Sequence, residues 1–416
     1  MIATREVIKE HQDFRWEFSQ DDLALIGGPL RNAFTITRSL VGPEYILNPG
    51  STVGVIRLPS GLQLEIQPKV PLTNLLWMLA AVEDLTAIDF KQLEDSVDLK
   101  EFDQVLEIIA DAFAGMVEHR LDLGLYRNYV EEEGNLTAIR GRILFAPDIE
   151  QNAVLRHRTY CQYTTYSWDL PENQVIRQVA RQLSGWGFSS GLTGRLVALD
   201  HQMDEVHPSR LSAGDVDQFV YNRQSEDYRP IHRYCRFFLN GASLNEEAGD
   251  TAFDGFLWNM NALFEKFITT MLRARLEPRF RLKDQERSTL DVNRAVTIKP
   301  DLVLADGLID ILIGDTKYKK LGTDDHKHAD LYQTLAYCTA LDVRAGVLIY
   351  PRHNIVREDR LAVRNSPVTL HETSVDLRGS ITHIEHEIDE LAQRLRDWSD
   401  RGNAVTPLHA PQRTSA

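Results

Sequence analysis

Short hydrophobic runs, separated by turn residues, divide the first hundred residues. The runs are rich in β-branched residues and are interrupted by glycine and proline, which is the pattern of strands joined by tight turns. The predicted strands cover residues 34–40, 45–47, 52–58 and 62–66. A helical pattern follows, which we expect Thr73 to cap. We therefore predict a β-rich N-terminal module over residues 1–100.

The hydrophobic spacing changes to three and four residues after position 100, which predicts a mainly helical middle region over residues 101–245. The segment 136–145, with its Arg-Gly-Arg triplet, is instead expected to be extended. The predicted helices of this region cover residues 102–121, 172–183 and 192–203.

Helices and strands are mixed in the third region, residues 246–400. A helix over 253–276 ends before Pro278. The elements after it are predicted strands at 296–304 and 308–318, a helix at 327–341, a strand at 343–350 and a helix at 381–398. The order helix–strand–strand–helix–strand predicts a mixed α/β core at the C-terminus. The polar tail over 401–416 is expected to be disordered.

Two acidic residues lie on the paired strands of this third region. Asp301 follows Pro300 in the first strand, and Asp315 lies two residues before Lys317 in the second. Alternate residues of a strand share a face, and the turn signal at 305–307 predicts an antiparallel hairpin that brings Asp301 close. Two carboxylates there could hold Mg²⁺ and activate a water against a phosphodiester. The alternative is a structural Asp301 beside a surface ion pair.

Composition limits the function. The 416 residues carry a formal net charge of −15, which argues against a protein that coats nucleic acid non-specifically. No apolar run is long enough to cross a membrane, and no secretory signal is visible. The three cysteines, far apart in the sequence, are typical of a reducing cytoplasm.

Several charged or polar residues have two interpretations. A basic stretch could form a nucleic-acid surface or a charge-guarded edge strand. It comprises Arg273, Arg275, Arg279, Arg281, Lys283 and Arg287. By position alone, Glu265 is better explained as an exposed helix residue than as a third carboxylate at the metal. Gln333 is likewise better explained as a surface residue than as a ligand of phosphate or water.

Motifs along most of the chain resemble the McrC family. The most specific is the PD-(D/E)xK nuclease motif in Lys299-Pro300-Asp301 and Gly314-Asp315-Thr316-Lys317. Further segments that resemble the family are 53–56, 64–69, 139–143, 160–163, 263–267 and 330–337, together with Tyr126 and Asn173. The resemblance covers residues 30–395, but only the nuclease motif is chemically specific.

This resemblance implies the DNA-cleaving subunit of a type IV, McrBC-like restriction system. It implies catalytic roles for Asp301, Asp315, Lys317, Glu265 and Gln333. It also implies Mg²⁺ or Mn²⁺ held by Asp301, Asp315, Glu265 and the backbone carbonyl of Thr316. The expected partners are an McrB-like AAA+ GTPase and methylated double-stranded DNA. The N-terminal module would dock on the GTPase and stimulate it, which agrees with the lack of a P-loop in this sequence.

Two other functions stay open. The large part outside the nuclease motif, residues 1–245, would suit a non-catalytic adaptor or activator of the GTPase. The metal chemistry would also suit a nuclease that acts on RNA or single-stranded DNA.

Overall fold

The computed structural model describes residues 4–88, 90, 93, 99–154, 157–242, 254–319, 324–352 and 359–403. The chain forms two compact units. The first, here called the split unit, comprises Met1–Val105 and Leu244–Ala416, and the second, the inserted unit, comprises Leu106–Ser243. The predicted disordered tail begins too early, because the last helix extends to Asn403, and residues 404–416 lie outside the described residues.

The described strands are β1 (Thr4–Lys9), β2 (Phe14–Trp16), β3 (Thr35–Arg38), β4 (Tyr45–Asn48), β5 (Thr52–Arg57), β6 (Leu62–Gln67), β7 (Asn128–Leu136), β8 (Arg142–Ile143), β9 (Thr159–Ser167), β10 (Asp254–Asn259), β11 (Arg281–Asp284), β12 (Ser288–Thr289), β13 (Thr297–Ile298), β14 (Leu302–Asp306), β15 (Ile309–Thr316), β16 (Ala345–Pro351), β17 (Asp359–Ala362) and β18 (Thr369–Val375). The described helices are α1 (Gln20–Gly27), α2 (Leu72–Glu83), α3 (Phe102–Leu123), α4 (Phe145–Asn152), α5 (Pro171–Ser184), α6 (Ser190–Gln202), α7 (Ala213–Asp217), α8 (Arg229–Ala242), α9 (Met260–Leu276), α10 (Asp324–Ala340) and α11 (Ile381–Asn403).

The N-terminal strands form two sheets. One has the order β1–β6–β5–β10, and the other has the order β2–β4–β3. The predicted strands of this region are present with slightly different ends, but the predicted cap is wrong. Helix α2 begins at Leu72 with Pro71 in the N-cap position and no side-chain cap, so Thr73 lies inside the first turn. Proline suits this place because its fixed φ is compatible with a helix start.

The fourth strand of the first sheet comes from the other end of the split unit. Strand β10 pairs antiparallel with β5, and its Phe256 and Leu257 are buried. The prediction of a helix over 253–276 is therefore wrong for residues 254–259. The helix begins at Met260, where the side chain of Asn259 accepts hydrogen bonds from the first-turn amides. Tertiary pairing with β5 decides the conformation of these six residues, as it often does for short apolar runs.

The C-terminal sheet has six strands in the order β11–β14–β15–β16–β18–β17. Strands β14 and β15 are antiparallel, whereas β15, β16 and β18 run parallel to one another. The predicted hairpin is confirmed: Asp306 pairs with Ile309, and Gly307 in the intervening turn has φ +61°. Positive φ is readily accepted by glycine.

The predicted continuous strand over 296–304 is wrong. It is divided into β13, which pairs with β12, and β14, which belongs to the six-stranded sheet. Pro300 lies at the break, and proline has no backbone N–H to donate to a sheet. Asp301 therefore lies just before β14, at the point where the chain enters the sheet.

Helix α10 packs against β15, β16 and β18 through a hydrophobic cluster that includes Ile313, Tyr337 and Cys338. Asp315 follows Ile313 by two residues in β15 and therefore lies on the same face of the sheet. This alternation directs the Asp315 side chain toward the side of the sheet that α10 covers.

The inserted unit contains α4 to α8, most of α3, and a three-stranded sheet in the order β7–β9–β8. The extended prediction over 136–145 holds for the end of β7 and for β8, but α4 already begins at Phe145. Strand β9 was not predicted. Among the described residues, no helix combines the length and apolarity needed to span a membrane.

Candidate active site

Asp301 and Asp315 lie at adjacent strand ends. Leu302 pairs with Gly314, so the residues flanking this pair come close across the hairpin. The Asp301 carboxylate is fixed at one oxygen, because the Thr316 amide and hydroxyl both donate to Oδ2, at 2.7 and 2.9 Å. This hydrogen bonding connects the start of β14 to the end of β15 and keeps the two carboxyl groups together.

Asp315 is only 1% exposed. Burial, followed by the charge of Asp301, raises the pKa of Asp315 to about 7. Lys317 partly offsets this effect, since its Nζ lies 2.7 Å from Asp315 Oδ2. Burial is the largest single influence on the pKa of Lys317 and lowers it, but the combined attraction of Asp315, Asp301 and Asp330 raises the pKa overall. The two carboxyl groups repel each other, and the single Lys317 ammonium group neutralises only part of their negative charge.

Divalent-metal binding is consistent with this donor set. Asp315 Oδ2 is buried, and its contact with Lys317 Nζ at 2.7 Å is an ion pair. Burying the charges of Asp301 and Asp315 together is unfavourable when a single ammonium group faces them, and oxygen ligands suit Mg²⁺. A cation next to Asp301 and Asp315 would relieve this repulsion. Within the described ranges, no group of three or more His, Cys, Asp or Glu side chains is placed to hold a metal ion, so the pair would need other ligands.

Glu265 on α9 borders the carboxylate pair. Burial raises its pKa first, and the negative charge of Asp301 raises it further. Gln285, which the sequence analysis missed, donates from Nε2 to Glu265 Oε1. The side-chain oxygen Oε1 of Gln285 accepts from Lys299 Nζ at 2.6 Å. The backbone N–H of Gln285 donates to the backbone carbonyl of Asp301 at 3.1 Å. Glu265 is thus joined to the site through Gln285 rather than by direct contact with Asp315.

Gln333 approaches the site through a tyrosine. Its Nε2 donates to Tyr337 Oη at 2.8 Å, one helical turn along α10. Burial raises the pKa of Tyr337, and the negative charge of Asp315 raises it further. The negative charge of the two carboxyl groups therefore acts on the Tyr337 hydroxyl of α10. The sequence offered a signal for it, because residues 333 and 337 are four apart and share a helix face.

A second polar cluster, formed by Asp330, Tyr350 and Lys319, also involves helix α10 and strand β16. Asp330 is buried, accepts from Tyr350 Oη at 3.1 Å and pairs with Lys319 Nζ at 2.5 Å. The negative charge of Asp330 also contributes to the raised pKa of Lys317. Lys319 and Lys317 therefore each have an acidic partner.

Two cations of the basic stretch have acidic partners at an edge of the C-terminal sheet. Strand β11 is an edge strand of the six-stranded sheet, and its Lys283 pairs with Asp310 at 2.8 Å and with Glu286 at 3.1 Å. Arg273 pairs with Asp284 at 2.9 Å. Cations that already have acidic partners favour the interpretation as a charge-guarded edge strand.

Comparisons with known proteins agree with the motif resemblance. A family model described as "McrBC 5-methylcytosine restriction system component" matches residues 47–351. The structure is similar to a chain of the refined half-complex from the tetradecameric assembly of Thermococcus gammatolerans McrB AAA+ hexamers with bound McrC. The TM-score is 0.63 at 17% identity, and the match covers 94% of this chain and 100% of that chain.

A cryo-EM structure of the Thermococcus gammatolerans McrBC complex gives a TM-score of 0.44 at 19% identity, over 66% of this chain and 88% of that chain. A search of curated proteins finds no match. The first structural likeness shows a shared fold, and the family model covers well over half of the sequence. The chain belongs to the family of McrBC 5-methylcytosine restriction system components.

Proposed function

We propose that this chain is the DNA-cleaving subunit of a modification-dependent, type IV restriction system, with a PD-(D/E)xK core in residues 246–400. The observation that carries the proposal is the buried Asp315, held between Asp301 and the Lys317 ammonium group 2.7 Å away. Burying charged groups in this way is unfavourable unless they are paired or bind a metal. A purely structural hairpin would be more stable with apolar residues at these positions.

Asp301 and Asp315 would hold Mg²⁺ or Mn²⁺, with the Thr316 carbonyl as a further oxygen ligand. Among the described residues no third acidic side chain joins the pair in one ligand group, so Glu265 would act on the ion through a bound water. When bound, the ion supplies a water of lowered pKa and stabilises charge on the phosphate. Lys317 then orients the water and neutralises charge that develops on the phosphodiester. Gln333 and Tyr337 together present an amide and a phenol from α10, which can bind a phosphate oxygen.

The proposed partner is an McrB-like AAA+ GTPase. The similar fold in an assembly of McrB hexamers with bound McrC supports it, as does the absence of a P-loop from this sequence. Methylated double-stranded DNA is the proposed substrate, cut in the cytoplasm with GTP hydrolysis by the partner. The net charge of −15 suits a division of labour in which the partner supplies much of the DNA affinity.

Cleavage of methylated DNA by the complex, with GTP and Mg²⁺, tests the proposal. Asp315→Asn and Lys317→Met should each reduce the cleavage rate at least about a hundredfold, because Asp315 would hold the metal and Lys317 would stabilise charge on the phosphodiester. The matched control is Asp310→Asn, which neutralises a carboxylate of the same strand that pairs with Lys283 outside the site. This control should cleave normally.

Partner binding and GTPase stimulation should be unchanged in all three variants. Wild-type cleavage rates by Asp315→Asn would contradict the assignment. Parallel digestion of single-stranded DNA and RNA distinguishes the other nuclease substrates. If GTPase stimulation occurs without any cleavage in the wild type, the chain acts as an activator only.

A further inference from the structure

Tyr318, directly after Lys317, connects the candidate active site to the N-terminal sheet. Its side chain is buried, with 3% exposure. Its hydroxyl donates a hydrogen bond of 2.9 Å to Oε1 of Glu10. Glu10 follows β1, so the contact joins residues 308 positions apart within the split unit.

The Glu10 carboxylate is itself held in place by Lys69, two residues after the end of the neighbouring strand β6. Strands β1 and β6 run parallel, and this pairing brings Glu10 next to Lys69. The Lys69 amide donates to Glu10 Oε1 at 2.7 Å, and Lys69 Nζ lies 3.5 Å from Oε2. A buried carboxylate is tolerated when it is paired and hydrogen-bonded in this way. The acceptor of the Tyr318 hydroxyl is therefore fixed by the N-terminal sheet.

The Tyr318 ring also contacts the helix that carries Glu265. Its centroid lies 5.9 Å from that of Phe264, the residue before Glu265. Tyr318 thus follows Lys317 in the sequence, and its ring contacts Phe264, which precedes Glu265. A displacement of this ring would move the end of β15 and the start of α9 together.

The hydrogen bond between Tyr318 and Glu10 can run in one direction only. A phenol carries one O–H donor and a carboxylate oxygen can only accept, so the Tyr318 hydroxyl donates to Glu10 Oε1. A buried donor without an acceptor is unfavourable, so this hydrogen bond keeps the Tyr318 ring and the Glu10 side chain in place.

We propose that Glu10 is a positioning residue for the nuclease reaction, acting through Tyr318 on Lys317 and on the Glu265 helix. This inference rests on the proposed function only for its effect on cleavage. The N-terminal sheet would then help to position Lys317, because Glu10, which accepts the hydrogen bond from Tyr318, directly follows strand β1 of that sheet.

The Tyr318→Phe variant of the full chain tests the inference, since it removes one hydroxyl and keeps the ring. Without metal or DNA, amide hydrogen exchange should become faster in peptides from β15 and the start of α9. In the complex, kcat for cleavage should fall about tenfold, as for other residues that orient a reactive group, with the KM for DNA unchanged. GTPase stimulation should stay at the wild-type level.

The matched control is Tyr228→Phe in the inserted unit. Tyr228 is also fully buried; its hydroxyl donates to Asn173 at 2.8 Å and accepts from the Tyr126 amide at 2.7 Å. This variant loses both hydrogen bonds and should be destabilised at least as much as Tyr318→Phe. Exchange in β15 and kcat for cleavage should nevertheless stay at the wild-type level.

Two substitutions of Glu10 separate positioning from general destabilisation. Glu10→Gln keeps an oxygen acceptor and should retain most of the cleavage rate, whereas Glu10→Ala should lose about as much as Tyr318→Phe. The variant that combines Tyr318→Phe with Glu10→Ala should lose no more of kcat than either single variant, because both substitutions remove the same contact. Unchanged exchange and unchanged kcat in Tyr318→Phe would overturn the inference. Faster exchange with no cleavage even by the wild type would instead refute the proposed function alone.

Discussion

Gln285 shows how one amide side chain can organise charged residues that are distant in sequence. Its backbone adopts φ +48°, an uncommon conformation for a residue other than glycine. In this conformation its amide hydrogen-bonds with both Lys299 and Glu265. The acidic pair and Lys317 were predictable, because strand alternation alone places them together. Gln285 was not, since its role depends on where the end of β11 lies against α9.

His232 in the inserted unit leads to a prediction about pH. It is almost completely buried, accepts from Tyr221 Oη at 2.9 Å and donates to the Glu172 carbonyl at 2.9 Å. Burial lowers its pKa from 6.5 to about 4. The unfolded chain therefore binds more protons than the folded chain between these values, and stability is lost as the pH falls from about 6.5 toward about 4.

At pH 5 this effect amounts to about 2 kcal/mol of the free energy of unfolding. We expect His232→Gln to be less stable than the wild type at pH 7 but to lose about 2 kcal/mol less between pH 7 and pH 5. Urea unfolding at both pH values measures this difference. Equal losses in the wild type and the variant would show that folding does not lower the pKa of His232.

At the scale of elements, the chain departs from the predictions where tertiary contacts oppose local pattern. Residues 254–259 continue into a helix and have its apolar spacing, but β5 offers an unpaired edge and β10 forms instead. Strands β17 and β18 were not predicted, and β18 is fully covered except at its first residue. The hairpin of β14 and β15 was predictable, because its turn signal and its strand patterns agree.

Gly346 sets the distance between α10 and the central strand β16. A Cβ there would come within 2.8 Å of Cys338 Sγ and 2.9 Å of the Thr334 methyl group, both on α10. We expect Gly346→Ala to lower stability by about 1–3 kcal/mol. It should also reduce cleavage, because α10 carries Gln333 and Tyr337. Gly194→Ala on α6 is the control, since its Cβ would meet nothing within 4 Å.

Thermal unfolding and cleavage assays on both glycine variants measure these effects. The control should be as stable as the wild type or slightly more so, because alanine favours a helix more than glycine does. If Gly346→Ala proved as stable and as active as Gly194→Ala, α10 would have room to move without disturbing the site.

At the scale of the whole molecule, the N-terminal and C-terminal segments belong to one compact unit. Strand β10 completes the N-terminal sheet and leads directly into α9. Asn74 of α2 donates to the Leu377 and Gly379 carbonyls, at 2.7 and 2.9 Å. The sequence could not reveal this union, because pairing between segments 200 residues apart leaves no local pattern. The N-terminal module over residues 1–100 remains a predicted docking region for the partner, but it is not a separate folding unit.

This organisation predicts how fragments of the chain will behave. Residues 106–243, expressed alone, should fold cooperatively, because they form a compact unit with their own sheet and buried aromatic residues. Residues 254–403 alone should not, since β10 would lose β5, Tyr318 would lose Glu10, and the Leu377 carbonyl would lose Asn74. NMR spectra of both fragments, with melting curves, test this. A well-dispersed spectrum from 254–403 alone would show that the candidate active site folds without the N-terminal sheet, and Glu10 would then be dispensable for the fold that holds Lys317.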